Sequence, residues 1–165
     1  MVLRESAFIA QRAPQPNAHT TAQGNTMTPE ENKQLILDHY EAFTHRQDTD
    51  AIRTQLAPDF VDHEMPPGTP PGPEAALRWN AMMHQAFPDL RIKVEDIVAE
   101  GDLVAVRATW TGTHRGQLPM LPFPPTNRSF VLKGMVFWRI SGNRIAERWA
   151  TLDRLGLQQQ LAPAS

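Results

Sequence analysis

The spacing of the apolar residues changes at Pro88, and this change constrains the fold more than any other feature. Before Pro88, apolar side chains recur every three or four residues, as on an amphipathic helix. After Pro88, Leu90, Ile92 and Val94 alternate with charged residues, as on a strand with one buried face. Helices followed by consecutive strands predict an α+β domain, with the helices gathered on one face of a curved sheet.

Three helices are predicted before the change. The first begins after Thr28, because Thr28 and Glu31 have the spacing of a capping box. The second covers Asp50 to Leu56, and a short strand from Asp59 to His63 follows it. The third begins at Pro73, a residue that suits the first helical position. Its apolar face is formed by Ala76, Trp79, Met83 and Phe87.

Four strands are predicted after Pro88, joined as an antiparallel meander. The alternation slips near Asp96, which indicates a bulge. The strand from Phe130 to Ile140 is apolar on both faces, so it needs a partner on each side. We expect the core on one side and a second subunit, in a homodimer, on the other. The concave side of a bent sheet is a usual place for a small ligand.

The composition excludes several classes of partner. The chain has 165 residues, a net charge of −2 and no cysteine. This charge gives no electrostatic reason to expect nucleic acid or an anionic membrane, and no apolar run approaches the roughly 18 residues of a membrane span. Disulfides and thiolate chemistry are excluded, and we expect a cytoplasmic protein.

Residues 1–26 differ from the rest of the chain. They are rich in Ala, Gln, Pro, Asn and Thr, and they lack the continuous apolar segment of a secretory signal. We expect a disordered N-terminal extension, with a transit peptide as the alternative. One domain is then predicted over residues 27–165.

Motifs beyond Thr28 are similar to those of a known family. They are GTHRG at residues 112–116, PPTNR at 124–128 and RIAERWATLDRLGLQQQL at 144–161. In this order they resemble the SnoaL-like polyketide cyclase, or ester cyclase, branch of the NTF2-like superfamily. The resemblance implies an NTF2-like cone of strongly bent antiparallel sheet, three N-terminal helices, a deep apolar pocket and, commonly, a dimer.

The resemblance also implies an activity. The best-understood members close a ring in aromatic polyketide methyl esters by an intramolecular aldol reaction, without a metal or cofactor. A carboxylate takes a proton alpha to a carbonyl, and the pocket stabilises the enolate. This chain departs from the family at two positions: Ala150 aligns with the catalytic Asp of the last strand, and Val136 replaces a pocket His. The acid/base groups must therefore be sought elsewhere.

Three titratable residues are predicted as proton carriers. His63 ends the first predicted strand, and imidazole titrates near neutral pH. Glu147 and Asp153 share the strand parity of Trp149, and a buried carboxylate with a raised pKa would serve as a base. The structural alternatives are a solvated His63 and outer-face ion pairs for the two carboxylates. No second His stands at metal-ligand spacing, so we expect neither a metal nor a cofactor.

Eight residues are predicted to contact the substrate. Arg148 shares the face of Ala150 and would meet a carbonyl or anionic oxygen, and His114 follows a strand end. The others are apolar, and Trp110 is favoured among them because its strand face is apolar. The complete set is Trp110, Trp149, Arg148, His114, Trp79, Met83, Phe87 and Val136.

These observations predict a SnoaL-like, cofactor-independent cyclase or isomerase that acts by acid/base chemistry on a small apolar or aromatic substrate, such as a polyketide-type ester. Two alternatives stay open. Ala150 and Val136 favour a non-catalytic small-molecule-binding protein. A limonene-epoxide type of epoxide hydrolase shares the architecture, but its Asp–Arg–Asp network would again have Ala150 at one position.

Overall fold

The computed structural model of the protein describes residues 27–163, so the extension predicted for residues 1–26 lies outside the described residues. Within this range no helix is long and apolar enough to cross a membrane. The elements, in chain order, are α1 (Pro29–Tyr40), a π-helical segment (Glu41–Arg46), α2 (Thr49–Gln55), β1 (Leu56–Asp62), α3 (Pro73–Ala86), β2 (Arg91–Glu100), β3 (Leu103–Thr113), β4 (Ser129–Ser141), β5 (Arg144–Leu152) and α4 (Arg154–Leu161).

Helix α1 begins at the predicted capping box. The Glu31 amide donates to Thr28 Oγ1 at 3.2 Å, and the Thr28 amide donates to Glu31 Oε2 at 2.7 Å. Two amides that the first turn leaves without helical partners are thereby satisfied. After Tyr40 the helix widens into the π-helical segment, where Thr44 Oγ1 donates to the Tyr40 carbonyl at 2.6 Å. Such segments are frequent at functional sites.

The sheet has the strand order β1-β5-β4-β3-β2. Strands β2 to β5 form the predicted antiparallel meander, while β1 adds to its edge parallel to β5. The predicted bulge is confirmed, because the β2–β3 register shifts between Val94 and Asp96. The α+β fold with N-terminal helices on a bent sheet is therefore confirmed, but the sheet is mixed rather than antiparallel, because β1 runs parallel to β5.

The largest differences from the sequence-based expectation lie at the junction of α2 with β1 and in the tail after β5. Strand β1 begins at Leu56, three residues early, because buried Leu56 pairs with Ile145 on β5. Helix α2 accordingly ends one residue sooner than predicted. The tail after β5 is a fourth helix, α4, held to β4 because Gln160 exchanges hydrogen bonds with the Val131 backbone at 2.9 and 3.0 Å.

Alternation along β3 and β4 divides the sheet into two faces. Inward side chains such as Val106, Val136 and Trp138 are at most 3% exposed and pack under the helices. Outward side chains on β4 are also apolar, yet Met135 and Phe137 are 60% and 49% exposed. The apolar outer face that the sequence predicted is therefore present, and the elements formed by residues 27–163 leave these two side chains largely exposed.

Candidate active site

The concave side of the sheet encloses an apolar chamber under α1 and α3. This inner chamber has a volume of about 100 Å³ and is lined by side chains of α1, α3 and the inner sheet face. It adjoins a wider outer chamber of about 580 Å³, whose rim includes Met120 of the β3–β4 loop and the Glu64–Arg154 ion pair. The two chambers share Asp62, Met65, Trp79, Met83 and Arg148 among their lining residues.

Asp62 and Arg148 form an ion pair at the junction of the chambers. Arg148 Nη1 lies 3.0 Å from both carboxylate oxygens of Asp62. The Asp62 side chain is only 9% exposed and that of Arg148 is 19% exposed. These are the charged side chains of the inner chamber, where apolar walls strengthen their interaction relative to water.

Strand pairing fixes this ion pair. Asp62 ends β1 directly opposite Arg148 in the parallel β1–β5 register. The backbone amide of His63 then donates to the Arg148 carbonyl at 2.9 Å, which holds the two strand segments together. The Arg148 guanidinium also lies over the Trp138 ring, 5.5 Å from its centroid, so a cation–π contact restrains it.

Trp138 connects Arg148 with two buried titratable side chains of α1. Its Nε1 donates to Tyr40 Oη at 3.3 Å, and its ring meets that of His39 edge-on with centroids 5.4 Å apart. Burial raises the pKa of Tyr40 to about 12, so this phenol stays protonated at neutral pH. All four residues line the inner chamber.

His39 is neutral at physiological pH. Burial is the main reason that its pKa falls to about 4; the charge of Arg148 lowers the pKa further, and a hydrogen bond to Gln55 opposes the shift. Gln55 Oε1, 3.1 Å from His39 Nδ1, can only accept, so Nδ1 carries the proton. Nε2 is then an acceptor.

His63 and Glu147 lie outside both chambers. His63 Nε2 is 2.9 Å from Glu147 Oε2, and Glu147 Oε1 is 3.0 Å from Arg139 Nε. His63 also stacks on Trp149, with ring centroids 4.5 Å apart and planes 7° apart. Strand parity explains this placement: when Asp62 and Arg148 point inward, their neighbours point outward.

Asp153 is the N-cap of α4. Its Oδ1 accepts a hydrogen bond from the Gly156 amide at 2.8 Å, which satisfies an amide of the first helical turn. Strand β5 ends at Leu152, so the alternation that assigned Asp153 to a strand face stops before it. Asp153 borders a concavity on the outer face of the sheet.

The predicted substrate contacts divide into two groups. Trp110, Trp79, Met83 and Arg148 line the inner chamber. The other four are elsewhere: Trp149 is on the outer face, Val136 and Phe87 are fully buried core residues, and His114 is fully buried beneath the β3–β4 loop against Phe87 and Phe123.

Sequence reasoning missed Asp62, His39 and Tyr40. Asp62 and His63 are adjacent on an extended segment, so only one of them can point inward, and the prediction favoured the imidazole. His39 and Tyr40 lie near Ile36 on one face of α1. A His and a Tyr on an apolar helix face could have indicated polar groups inside the pocket. Trp138 was visible as an inward residue of β4, but its contact with Tyr40, 98 positions away, was not.

The inner chamber supplies one hydrogen-bond-accepting carboxylate, one guanidinium, one phenol and one neutral imidazole in an apolar setting. Such a set can move a proton and stabilise a developing oxyanion. In residues 27–163 no group of three or more His, Asp or Glu side chains is arranged to hold a metal ion. Asp62, His63 and Glu64 have separate partners: Arg148, Glu147 and Arg154.

Comparisons with solved structures agree with this architecture. TsrD from Streptomyces laurentii is 26% identical with a TM-score of 0.74, covering 82% of this chain and 98% of its own. IdmH from Streptomyces antibioticus, with a proposed polyketide cyclase activity, is 35% identical with a TM-score of 0.68, covering 78% and 96%. AclR from Streptomyces galilaeus, proposed to be a hydroxylase, is 27% identical with a TM-score of 0.69, covering 82% and 100%.

The family comparison agrees with the sequence motifs. No curated protein matches the chain. The family model for SnoaL-like polyketide cyclases, however, matches residues 34–161, which include α1 from its second turn, the sheet and α4. The chain therefore belongs to the SnoaL-like polyketide cyclase family.

Proposed function

We propose that the protein is a cofactor-independent cyclase or isomerase that acts by acid/base chemistry on a small apolar or aromatic substrate of the polyketide-ester type. The observation that carries the proposal is the ion pair of Asp62 and Arg148, which lies at the junction of two apolar chambers. A carboxylate so placed replaces the acid/base groups that Ala150 and Val136 cannot supply.

Asp62 is the base in this proposal. A carboxylate has about four lone-pair sites, so two contacts with Arg148 Nη1 leave room for a substrate proton. Arg148 Nε and Nη2 make no hydrogen bond with another described residue, and they can donate to a substrate oxygen. The proton alpha to a carbonyl passes to Asp62. The electron pair of the broken C–H bond forms the enolate, which attacks an internal carbonyl or is reprotonated at another carbon.

Hydrogen exchange tests this role before the natural substrate is known. Aromatic β-ketoesters and lactones are incubated with the protein in D₂O, and mass spectrometry follows deuterium gain alpha to the carbonyl. We expect exchange faster than in buffer without protein. Asp62→Asn should reduce it to that background rate, whereas Asp59→Asn should preserve it, since Asp59 is an exposed residue on the same strand. Exchange that stays above background in the Asp62→Asn protein would remove Asp62 from the mechanism.

A non-catalytic binding protein is the second candidate. Val136 and Ala150 lie directly opposite each other in the β4–β5 register and present no proton-transferring group. In this case the ligand would bind in the chambers, and deuterium would not be incorporated into the ligand.

The epoxide hydrolase alternative predicts a different product. Incubation with a terpene epoxide would then give a product that is heavier by one water molecule.

We also propose a homodimer formed through the outer sheet face. The side chains of Val131, Met135 and Phe137 are between 49% and 60% exposed, and all three point outward from the central strand β4. An apolar patch of this kind is usually an interaction surface.

We further propose that the protein is cytoplasmic, as expected from its cysteine-free sequence.

A further inference from the structure

The hydrogen bonds of Tyr40 leave its phenolic proton unassigned. Tyr40 is only 7% exposed, and its Oη accepts from Trp138 Nε1 at 3.3 Å. No side chain or backbone carbonyl in residues 27–163 accepts the Tyr40 proton. Buried hydroxyl groups normally satisfy both roles, so a donor at the wall of a ligand chamber is available to a ligand oxygen.

We propose that Tyr40 donates its hydrogen bond to the carbonyl oxygen of the substrate and thereby stabilises the enolate, so that the site takes neutral ketones or esters whose carbonyl enters the inner chamber. This inference rests on the proposed function, because it assigns the partner of the Asp62 base. Tyr40 is then a catalytic residue that touches the reacting oxygen.

The neighbours of Tyr40 strengthen this donation. A hydroxyl that accepts from Trp138 is polarised and becomes a better donor. The Arg148 guanidinium lies over the Trp138 ring and contributes positive charge beside the developing oxyanion. Burial keeps the phenol protonated, so Tyr40 offers a hydrogen bond without losing its proton.

The reaction step is balanced by Asp62 and Tyr40 together. The C–H bond alpha to the carbonyl breaks, its proton goes to an Asp62 oxygen, and its electron pair forms a C=C bond. The carbonyl π electrons move to oxygen, which accepts the Tyr40 hydrogen bond. Collapse of the enolate onto an internal carbonyl forms a C–C bond, and the new alkoxide takes the proton held by Asp62.

The charges of the inner chamber favour a neutral substrate. Asp62 and Arg148 neutralise each other, and His39 is uncharged at neutral pH. A substrate carboxylate would face the Asp62 carboxylate, and an ammonium would face the Arg148 guanidinium. A ketone or ester oxygen needs only the donors that Tyr40 and Arg148 offer, and the outer chamber can hold the rest of the molecule.

The test uses 2-naphthol, whose anion resembles an aromatic enolate, with the Asp62→Asn protein standing in for the state after proton transfer. We expect bound 2-naphthol to be more acidic than free 2-naphthol by about one pH unit or more, as read from the naphtholate absorbance. Adding Tyr40→Phe should raise the pKa of the bound naphthol and weaken naphtholate binding about tenfold. Affinity for 2-methoxynaphthalene, which cannot ionise, should not change.

The sequence contains one tyrosine, which provides a second variant. Tyr40→Phe leaves the buried Trp138 N–H without its acceptor, which lowers the stability of the fold. Replacing all tyrosine with 3-fluorotyrosine changes Tyr40 alone and keeps the hydroxyl. The fluorinated phenol is more acidic, so the Asp62→Asn protein that contains 3-fluorotyrosine should bind naphtholate more tightly than the Asp62→Asn protein that contains tyrosine. An unchanged affinity and an unchanged bound pKa would overturn the proposal, as would a failure of the Asp62→Asn protein to bind 2-naphthol.

These outcomes are separable from those of the exchange experiment. If exchange depends on Asp62 but naphtholate binding ignores Tyr40, the proposed function stands and this inference falls. If naphtholate binding depends on Tyr40 but no substrate exchanges deuterium, the inference about the oxyanion stands and Asp62 is not a base.

Discussion

Asp62 and Arg148 lie 86 residues apart in the chain and directly opposite each other in the parallel pairing of β1 with β5, with Arg148 Nη1 3.0 Å from each Asp62 carboxylate oxygen. Both side chains are largely removed from solvent, so each depends on the other to offset its desolvation. The pair therefore links the packing of the sheet edge to the chemistry of the pocket.

Removing Arg148 alone should destabilise the fold. Arg148→Met leaves the Asp62 carboxylate buried and unpaired, and we expect a loss of about 3 kcal/mol in the free energy of unfolding, measured by urea denaturation. The double variant Asp62→Leu/Arg148→Met should recover most of that loss, since two apolar side chains need no partner.

Arg53→Met provides the matched control for this stability measurement. Arg53 pairs with Glu74 between α2 and α3, where both side chains are at least half exposed. An exposed pair contributes about 0–1 kcal/mol, so this change should have a small effect. Equal losses for Arg148→Met and Arg53→Met would show that the pocket pair is hydrated like a surface pair.

The predictable part of the site was its residue types, and the unpredictable part was which face each residue would occupy. Alternation shows that Asp62 and His63 point apart, yet it does not tell which points inward. That choice depends on the pairing of β1 with β5, which joins segments distant in sequence. The motif that contains Trp149 identified β5 correctly as a pocket-lining strand. Trp149 itself points outward, however, and the neighbouring Arg148 points inward.

Helical structure was predictable where a local signal existed. The Thr28 capping box and Pro73 identified the starts of α1 and α3. The π-helical segment after Tyr40 has no comparable local signal. His84 Nε2 of α3 lies 2.8 Å from the Phe43 carbonyl oxygen in that segment. This contact joins residues that are distant in the sequence, so it could not be predicted from local sequence signals.

Asp153 should contribute to stability rather than to proton transfer. Asp153→Ala removes the acceptor for the Gly156 amide, and we expect a loss of about 1 kcal/mol in the free energy of unfolding. Asp153→Ser, which retains a capping oxygen, should lose less. Deuterium exchange into the substrate should continue in both variants. Loss of exchange in a folded Asp153→Ala protein would instead assign Asp153 the role of proton carrier that the sequence predicted.

Phe137→Glu should separate the proposed homodimer into monomers. The change places a carboxylate in the middle of the apolar outer face, where a second subunit would have to desolvate it. Light scattering coupled to size-exclusion chromatography gives the mass directly. Leu155→Glu is the control, because Leu155 is also an exposed apolar residue, at 65%, but belongs to α4 and not to the sheet. A monomeric parent protein would contradict the proposed interface.

His39 should make the protein less stable as the pH falls below about 6.5. Burial lowers the pKa of folded His39 to about 4, while the unfolded chain has an ordinary histidine pKa near 6.5. Between these values the unfolded state binds more protons, so stability is complete at higher pH and decreases as the pH falls through this window. Between pH 7 and pH 5 the parent should lose about 2 kcal/mol more than His39→Asn in urea denaturation. Parallel curves for the parent protein and for His39→Asn would show that His39 does not cause this loss.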